Sequence, residues 1–306
     1  MHLHTTSFFG SAILLSIMFA SAATAQLLGC DAVGCPVDEY RNAQCEIGNA
    51  TLKAIGVANV TSVLDSRPLT WTLGLQELKG NGTNPTFDRN FYLGTPPYLQ
   101  LNDTKGCALF FEGVSENLTS SSGDQLNKFT CSSALAEACV SDLIAQAQSS
   151  YEGFDDEFGG GSDLCNQLRD TLVNKPPTTC SGVKGSWGTI VAQHLTGISA
   201  PAKIEQKQCH PTTGRDYDLS LIASIRKEAS GRELSKLAPI LNAITPVMTI
   251  ISKGNDTGVE LSCLKLVEMK ANQTVDSQPS KGSTSLPRSS FALFATIAAV
   301  AYFFVL

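Results

Sequence analysis

Apolar and polar positions change their spacing several times along this chain, and each change marks an element. Residues 8–20 and 291–306 are nearly unbroken apolar runs, one at each end. Between them, short β-type runs at 51–63, 69–75, 91–93 and 107–114 are separated by turn-prone stretches at 79–85 and 94–97. From 133 to 148 the period lengthens. Leu135, Ala136, Cys139, Val140, Leu143, Ile144 and Ala147 recur at three and four, the stripe of one half-buried helix. Cys139 lies on that stripe, so its bridge is expected to pin the helix to the sheet. A second helix starts from Ser162 or Asp163, carries Leu164, Leu168 and Leu172 on one face, and ends at Asn174 before Pro176 and Pro177. Residues 186–195 fit neither period.

Strict alternation returns at 216–226, with Tyr217, Leu219, Leu221, Ala223 and Ile225 on one face. Two further runs, 245–252 and 259–269, flank Gly254-Asn255-Asp256-Thr257-Gly258 and are expected to pair as a hairpin. The predicted class is α+β: mainly antiparallel strands with a few packed helices, stapled by disulfides. The stretch 151–163 (YEGFDDEFGGGSD) holds the carboxylates Glu152, Asp155, Asp156, Glu157 and Asp163, and three consecutive glycines that cannot be ordered cheaply. It reads as an acidic linker between a domain at 26–150 and another at 164–270, with one domain carrying an acidic loop as the alternative. Six cysteines precede it and four follow, so each half could close its own bridges.

The terminal apolar runs read as processing signals. Residues 8–20 followed by Ala23-Thr24-Ala25 have the apolar core and small-x-small site of a secretory signal peptide, 1–25, whose removal exposes Gln26. At the other end, 271–290 is a polar tether, with the small residues Gly282, Ser283 and Thr284 ahead of a polar spacer and the tail at 291–306. That order is the signal for a glycosylphosphatidylinositol (GPI) anchor, with Gly282 as the expected attachment residue and Ser280 as the alternative. The expected location is the cell surface: the outer face of the plasma membrane, the cell wall, or both.

Composition agrees with that compartment. All ten cysteines, Cys30, Cys35, Cys45, Cys107, Cys131, Cys139, Cys165, Cys180, Cys209 and Cys263, lie between the two signals. An even number in an oxidising compartment reads as disulfides, with Cys30, Cys35 and Cys45 stapling an irregular segment at 26–44. Seven sequons, at Asn49, Asn59, Asn81, Asn102, Asn117, Asn255 and Asn272, are expected to carry N-glycans on loops or solvent faces. A net charge of −6 and no basic run argue against a nucleic-acid surface.

Catalytic patterns are sparse. His194 and His210 remain after signal removal; His194 reads as packing and His210 as part of a turn between Cys209 and Pro211. Gly185-Ser186-Trp187-Gly188 has the glycine after the serine of a nucleophile elbow, but Lys184 stands where the one before it belongs. The acidic stretch lacks the residue order of a calcium loop. No metal site and no cofactor are expected.

The stretches Leu69-Thr70-Trp71-Thr72, Phe91-Tyr92-Leu93-Gly94-Thr95-Pro96-Pro97, Gly106-Cys107-Ala108-Leu109-Phe110-Phe111 and Thr245-Pro246-Val247-Met248-Thr249 resemble those of a group of secreted, GPI-anchored surface proteins of filamentous ascomycete fungi. The resemblance implies a fungal plasma membrane or wall location and supplies no activity. Two expectations follow from the residues. The first is a non-enzymatic surface glycoprotein, structural, adhesive or binding wall polysaccharide through Trp71, Trp187, Tyr92 or Tyr98, since sugar faces stack on such rings. The second is a wall-remodelling hydrolase or transglycosylase using two of Glu77, Asp88, Glu112 and Glu116 as an acid–base pair.

Overall fold

The computed structural model describes residues 25–26, 45–78, 84–99, 101, 104–115, 118, 130–152, 164–183, 187, 189–197, 199–205, 209, 211–214 and 216–268. Residues 1–24 of the signal segment, the anchor segment, Cys30, Cys35, His210, Glu116, Gly282, Ser280 and the sequons Asn81, Asn102, Asn117 and Asn272 lie outside them.

Two antiparallel sheets are stacked face to face. The larger has the order β1 (Ala25–Gln26), β4 (Ala54–Val60), β5 (Leu69–Leu78), β6 (Thr86–Thr95), β10 (Asp218–Glu228), β9 (Lys203–Ile204), with β13 (Val267–Glu268) also on β4. The smaller runs β12 (Asp256–Lys265), β11 (Ile244–Lys253), β7 (Thr104–Phe110), β8 (Val191–His194). Alternation along each strand decides what it buries. Leu69, Trp71, Leu73 and Leu75 of β5 and Phe87, Phe91 and Leu93 of β6 face Ala108, Phe110, Val247, Ile251 and Leu264 across the sandwich. Trp71 anchors this layer: its ring is edge-on to Phe110 at 5.5 Å, and its indole N–H donates to Thr249 Oγ1 at 2.7 Å.

Each outer face is covered too. Cys107, Leu109, Met248, Ile250, Leu261 and Cys263 of the smaller sheet pack under α2 (Cys131–Leu135), α3 (Glu137–Glu152) and α4 (Leu164–Asn174). Ile55, Val57, Tyr92 and Leu219 of the larger sheet pack under the hairpin of β2 (Cys45–Ile47) and β3 (Ala50–Leu52). Gly74 permits that contact: a Cβ there would sit 2.6 Å from a methyl of Leu52. The fold is α+β, mainly antiparallel and joined by four disulfides, as the sequence predicts. Among the described residues no helix is long and apolar enough to cross a membrane.

Several expectations are corrected. The halves on either side of 151–163 are not separate domains: β10 lies beside β6, β11 beside β7, and the described residues belong to one compact unit. All four described bridges cross that stretch: Cys45–Cys209, Cys107–Cys165, Cys131–Cys263 and Cys139–Cys180. Cys45 therefore does not staple 26–44. Cys139 bonds Cys180 in the 3-10 turn Thr178–Cys180, so it ties α3 to that turn rather than to the sheet, and the helix-to-sheet bridges are Cys131–Cys263, from α2, and Cys107–Cys165, from α4. The single helix at 133–148 is two, broken at Ala136 with φ 70°; α2 is closed at its start by a capping box of Thr130 and Ser133. The run at 107–114 ends as a strand at Phe110 and continues as the single turn α1 (Glu112–Ser115).

The alternation in β10 also slips. The register passes from Leu221↔Tyr92 to Ala223↔Phe91, so Ile222 is an extra residue. Leu219 packs on the outer face and Leu221 is partly exposed, whereas Ile222 and Ala223 are buried in the sandwich. The expected hairpin forms as β11 and β12, with Gly254 at φ 60° opening its two-residue turn.

Candidate functional site

The candidate carboxylates among the described residues, Glu77, Asp88 and Glu112, are each paired with a cation. Asp88 and Arg89 are neighbours on β6 and point to opposite faces of the sheet. Asp88, outward, accepts from Arg226 Nε at 2.8 Å and Nη2 at 3.0 Å. Arg89, inward, lies between the two sheets, where its Nη1 reaches both oxygens of Glu112 at 3.2 and 3.0 Å and its Nη2 donates to Thr245 Oγ1. Lys227 Nζ stands 3.5 Å from the same carboxylate. Both side chains of the Arg89–Glu112 pair are 1% exposed. Glu77 is 3.6 Å from Arg232 at the rim. The arrangement places Glu112 as an inter-sheet tie, held by α1 against β6 and β11.

A carboxylate missed in the sequence also bridges the sheets. Glu260, on β12, faces β4 and accepts from the Thr61 backbone N–H at 2.6 Å and from the Thr61 hydroxyl. Burial pushes its carboxyl above the ordinary value, while the two Thr61 hydrogen bonds oppose that rise. A folded-state pKa above the unfolded one means the native state binds the extra proton between the two values. Stability from this group is therefore greatest below about 4.5, its ordinary value, and falls as pH rises through the raised one. Glu260→Gln keeps an acceptor for Thr61 and removes the ionisation. The variant is expected to lose that pH dependence and to match or exceed the native protein's stability at neutral pH, as read from denaturant midpoints at pH 4, 5.5 and 7.

The aromatic candidates separate sharply. Trp71 is core, and Tyr92 is buried under the β2–β3 hairpin, with burial raising its phenol strongly. Trp187 is half-buried, edge-on to Phe111 at 5.8 Å. Tyr98 is 91% exposed. It sits in the 96–99 turn that follows β6, with φ 68°. The turn is closed by Leu99 N–H donating to the Pro96 carbonyl at 3.2 Å, and Arg67 Nη2 donates to the Pro97 carbonyl at 3.2 Å. Arg67 in turn lies 3.6 Å from Asp65 and 3.9 Å from Asp216. Three loops at one end of the larger sheet thus bring Arg67, Asp65 and Asp216 together beside the turn that carries Tyr98.

Among the sequons, Asn49 and Asn255 are exposed in the turns β2–β3 and β11–β12. Asn59 lies on a strand rather than in a loop. It lies on β4, half-buried, with its Oδ1 accepting from the Thr213 hydroxyl, which also bonds Thr70 Oγ1 at 2.6 Å. His194 lies in β8 with its Nδ1 3.2 Å from Cys165 Sγ, against the Cys107–Cys165 bridge, and so serves packing. Among the described residues no group of three or more His, Cys, Asp or Glu is placed to hold a metal ion.

Comparison with protein-family models, curated proteins and solved structures returns no match. The functional reading therefore rests on the chemistry of this chain.

Proposed function

We propose that this protein is a GPI-anchored glycoprotein of the fungal cell surface, non-enzymatic, with a structural, adhesive or polysaccharide-binding role in the wall. The observation that carries the reading is the set of four disulfides among the described residues, which tie α2 and α4 to the smaller sheet, α3 to the Thr178–Cys180 turn, and the β2–β3 hairpin to the segment ahead of β10. Bridges of this kind form and persist in the secretory pathway and outside the cell. The exposed sequon turns at Asn49 and Asn255 agree with that compartment. Against a hydrolase, Glu112, Asp88 and Glu77 are each neutralised by a cation of the fold, and Asp88 lies on the sheet face opposite Glu112. A retaining or inverting pair needs two carboxyl groups converging on one substrate position with their acidities held apart.

Phosphatidylinositol-specific phospholipase C applied to intact cells tests the attachment. Release of the protein into the supernatant is expected. Retention on the membrane together with loss of the signal after Phe291→Arg, which breaks an apolar tail without touching Gly282, would leave a protein-held membrane tail as the account.

A further inference from the structure

From its geometry, and resting on the polysaccharide-binding branch of the reading above, we infer that the 96–99 turn is a carbohydrate-contact site in which Tyr98 stacks on a neutral pyranose and Arg67, Asp65 and Asp216 hold its hydroxyls. The first observation is that Tyr98 is locally unfavourable in two ways. It is 91% exposed, more than Leu234 at 75%, Val63 at 46% or Leu221 at 37%. Its φ of 68° is a conformation that glycine adopts freely and an aromatic residue does not. A large side chain kept where both solvation and backbone favour glycine points to a role for the ring itself.

The turn is also held rather than loose. Leu99 packs against the sandwich core, and Arg67 donates to the Pro97 carbonyl from the opposite side. Arg67 is fixed by its own neighbours, for Asp65 Oδ1 accepts the Arg67 backbone N–H at 2.8 Å. The backbone that carries the ring is thus held in place, which spares a ligand the entropy of ordering the turn.

The surroundings select the ligand class. A pyranose has an apolar C–H face and a rim of hydroxyls that both donate and accept. One ring for the face, a guanidinium that donates and carboxylates that accept supply the complement. Among the described residues the site carries one positive and two negative groups, not the positive excess that an acidic glycan would need. A protein partner is less well matched, because stable protein interfaces gather contiguous aromatic and apolar surface at their centre, and here one ring stands in a polar rim.

The test measures binding of the full-length protein, purified in detergent, to β-1,3-glucan, chitin oligosaccharide and mannan. Native protein, Tyr98→Gly, Tyr98→Phe and Asp216→Asn are compared, with a thermal melt of each. The expected result is that Tyr98→Gly binds about tenfold or more weakly. It should melt at the same or a higher temperature, because glycine relieves the turn. Tyr98→Phe should retain binding, and Asp216→Asn should weaken it severalfold. Native protein that binds a polysaccharide with Tyr98→Gly unchanged would overturn this site and leave the polysaccharide reading standing. Native protein that binds none of the three would overturn both. Self-association abolished by Tyr98→Gly without glycan binding would assign the ring to a protein contact and overturn the proposal.

Discussion

Arg89→Met is expected to destabilise the fold by about 3–5 kcal/mol, measured from denaturant unfolding at neutral pH. The magnitude comes from what the substitution leaves behind. Glu112 is 1% exposed, and without the guanidinium its charge is buried beside Lys227 alone, which reaches it at 3.5 Å from a partly solvated position. Thr245 loses its donor at the same time. Replacing both members, Arg89→Met with Glu112→Leu, is expected to recover most of the loss, since the cost lies in the uncompensated charge more than in the missing attraction. Arg226→Met is the control. Its contact with Asp88 is two-pronged, at 2.8 and 3.0 Å, but the arginine side chain is 67% exposed and Asp88 13%, so water replaces most of what the substitution removes. A loss of no more than about 1 kcal/mol is expected there. A small effect of Arg89→Met would show that the inter-sheet ion pair is not structural and would reopen Glu112 to a catalytic role.

The second large effect is expected from the Cys45–Cys209 bridge. It joins residues 164 apart and fastens the β2–β3 hairpin to the segment that leads into β10. In the chain-entropy account, a loop of that length contributes about 5 kcal/mol, and one of 41 residues, as at Cys139–Cys180, about 4 kcal/mol. Cys45→Ser with Cys209→Ser should therefore cost more stability than Cys139→Ser with Cys180→Ser. Peptide mapping without reduction should return all four bridges described. A map in which no bridge crosses residues 151–163 would contradict the interleaved fold.

The local elements were legible because their signals are local. The helix at 164–174 is marked by leucines four apart and two prolines, and the β11–β12 hairpin by a Gly-Asn turn between apolar runs. The pairing of distant strands was not, because nothing in 26–150 says that β10 and β11 will lie against it. The same holds for the bridges, whose partners are set by that topology. Two local failures have local causes. An extra residue at Ile222 shifts a period-two pattern by one, which alternation cannot anticipate, and Ala136 at positive φ breaks a stripe that looks continuous. Helix α5 (Leu234–Leu241), not predicted from the sequence, carries Pro239 in its interior, and that hides it.

Of the functional residues, the ones found and the ones missed differ in kind. Glu112 stands out as a carboxylate near strands, but Arg89 explains it, and Arg89 was readable: alternation places it between Phe87 and Phe91 on an apolar face, where a charge needs a buried partner. Glu260 carries the same mark, one position from Leu261 in an apolar strand. Tyr98 was included among four aromatic candidates, and only its exposure separates it from the buried Trp71 and Tyr92. Its sequence signal is the Pro-Pro pair before it, which sets a turn in which glycine would be the easier residue.

The account stands most directly on the anchor, and the deciding measurement is mass spectrometry of the C-terminal peptide of protein released from intact cells by phosphatidylinositol-specific phospholipase C. The account predicts a peptide ending at Gly282, or at Ser280, and carrying an ethanolamine-linked remnant. A peptide continuing through Phe291 to Leu306 would contradict it and make the apolar tail itself the membrane attachment.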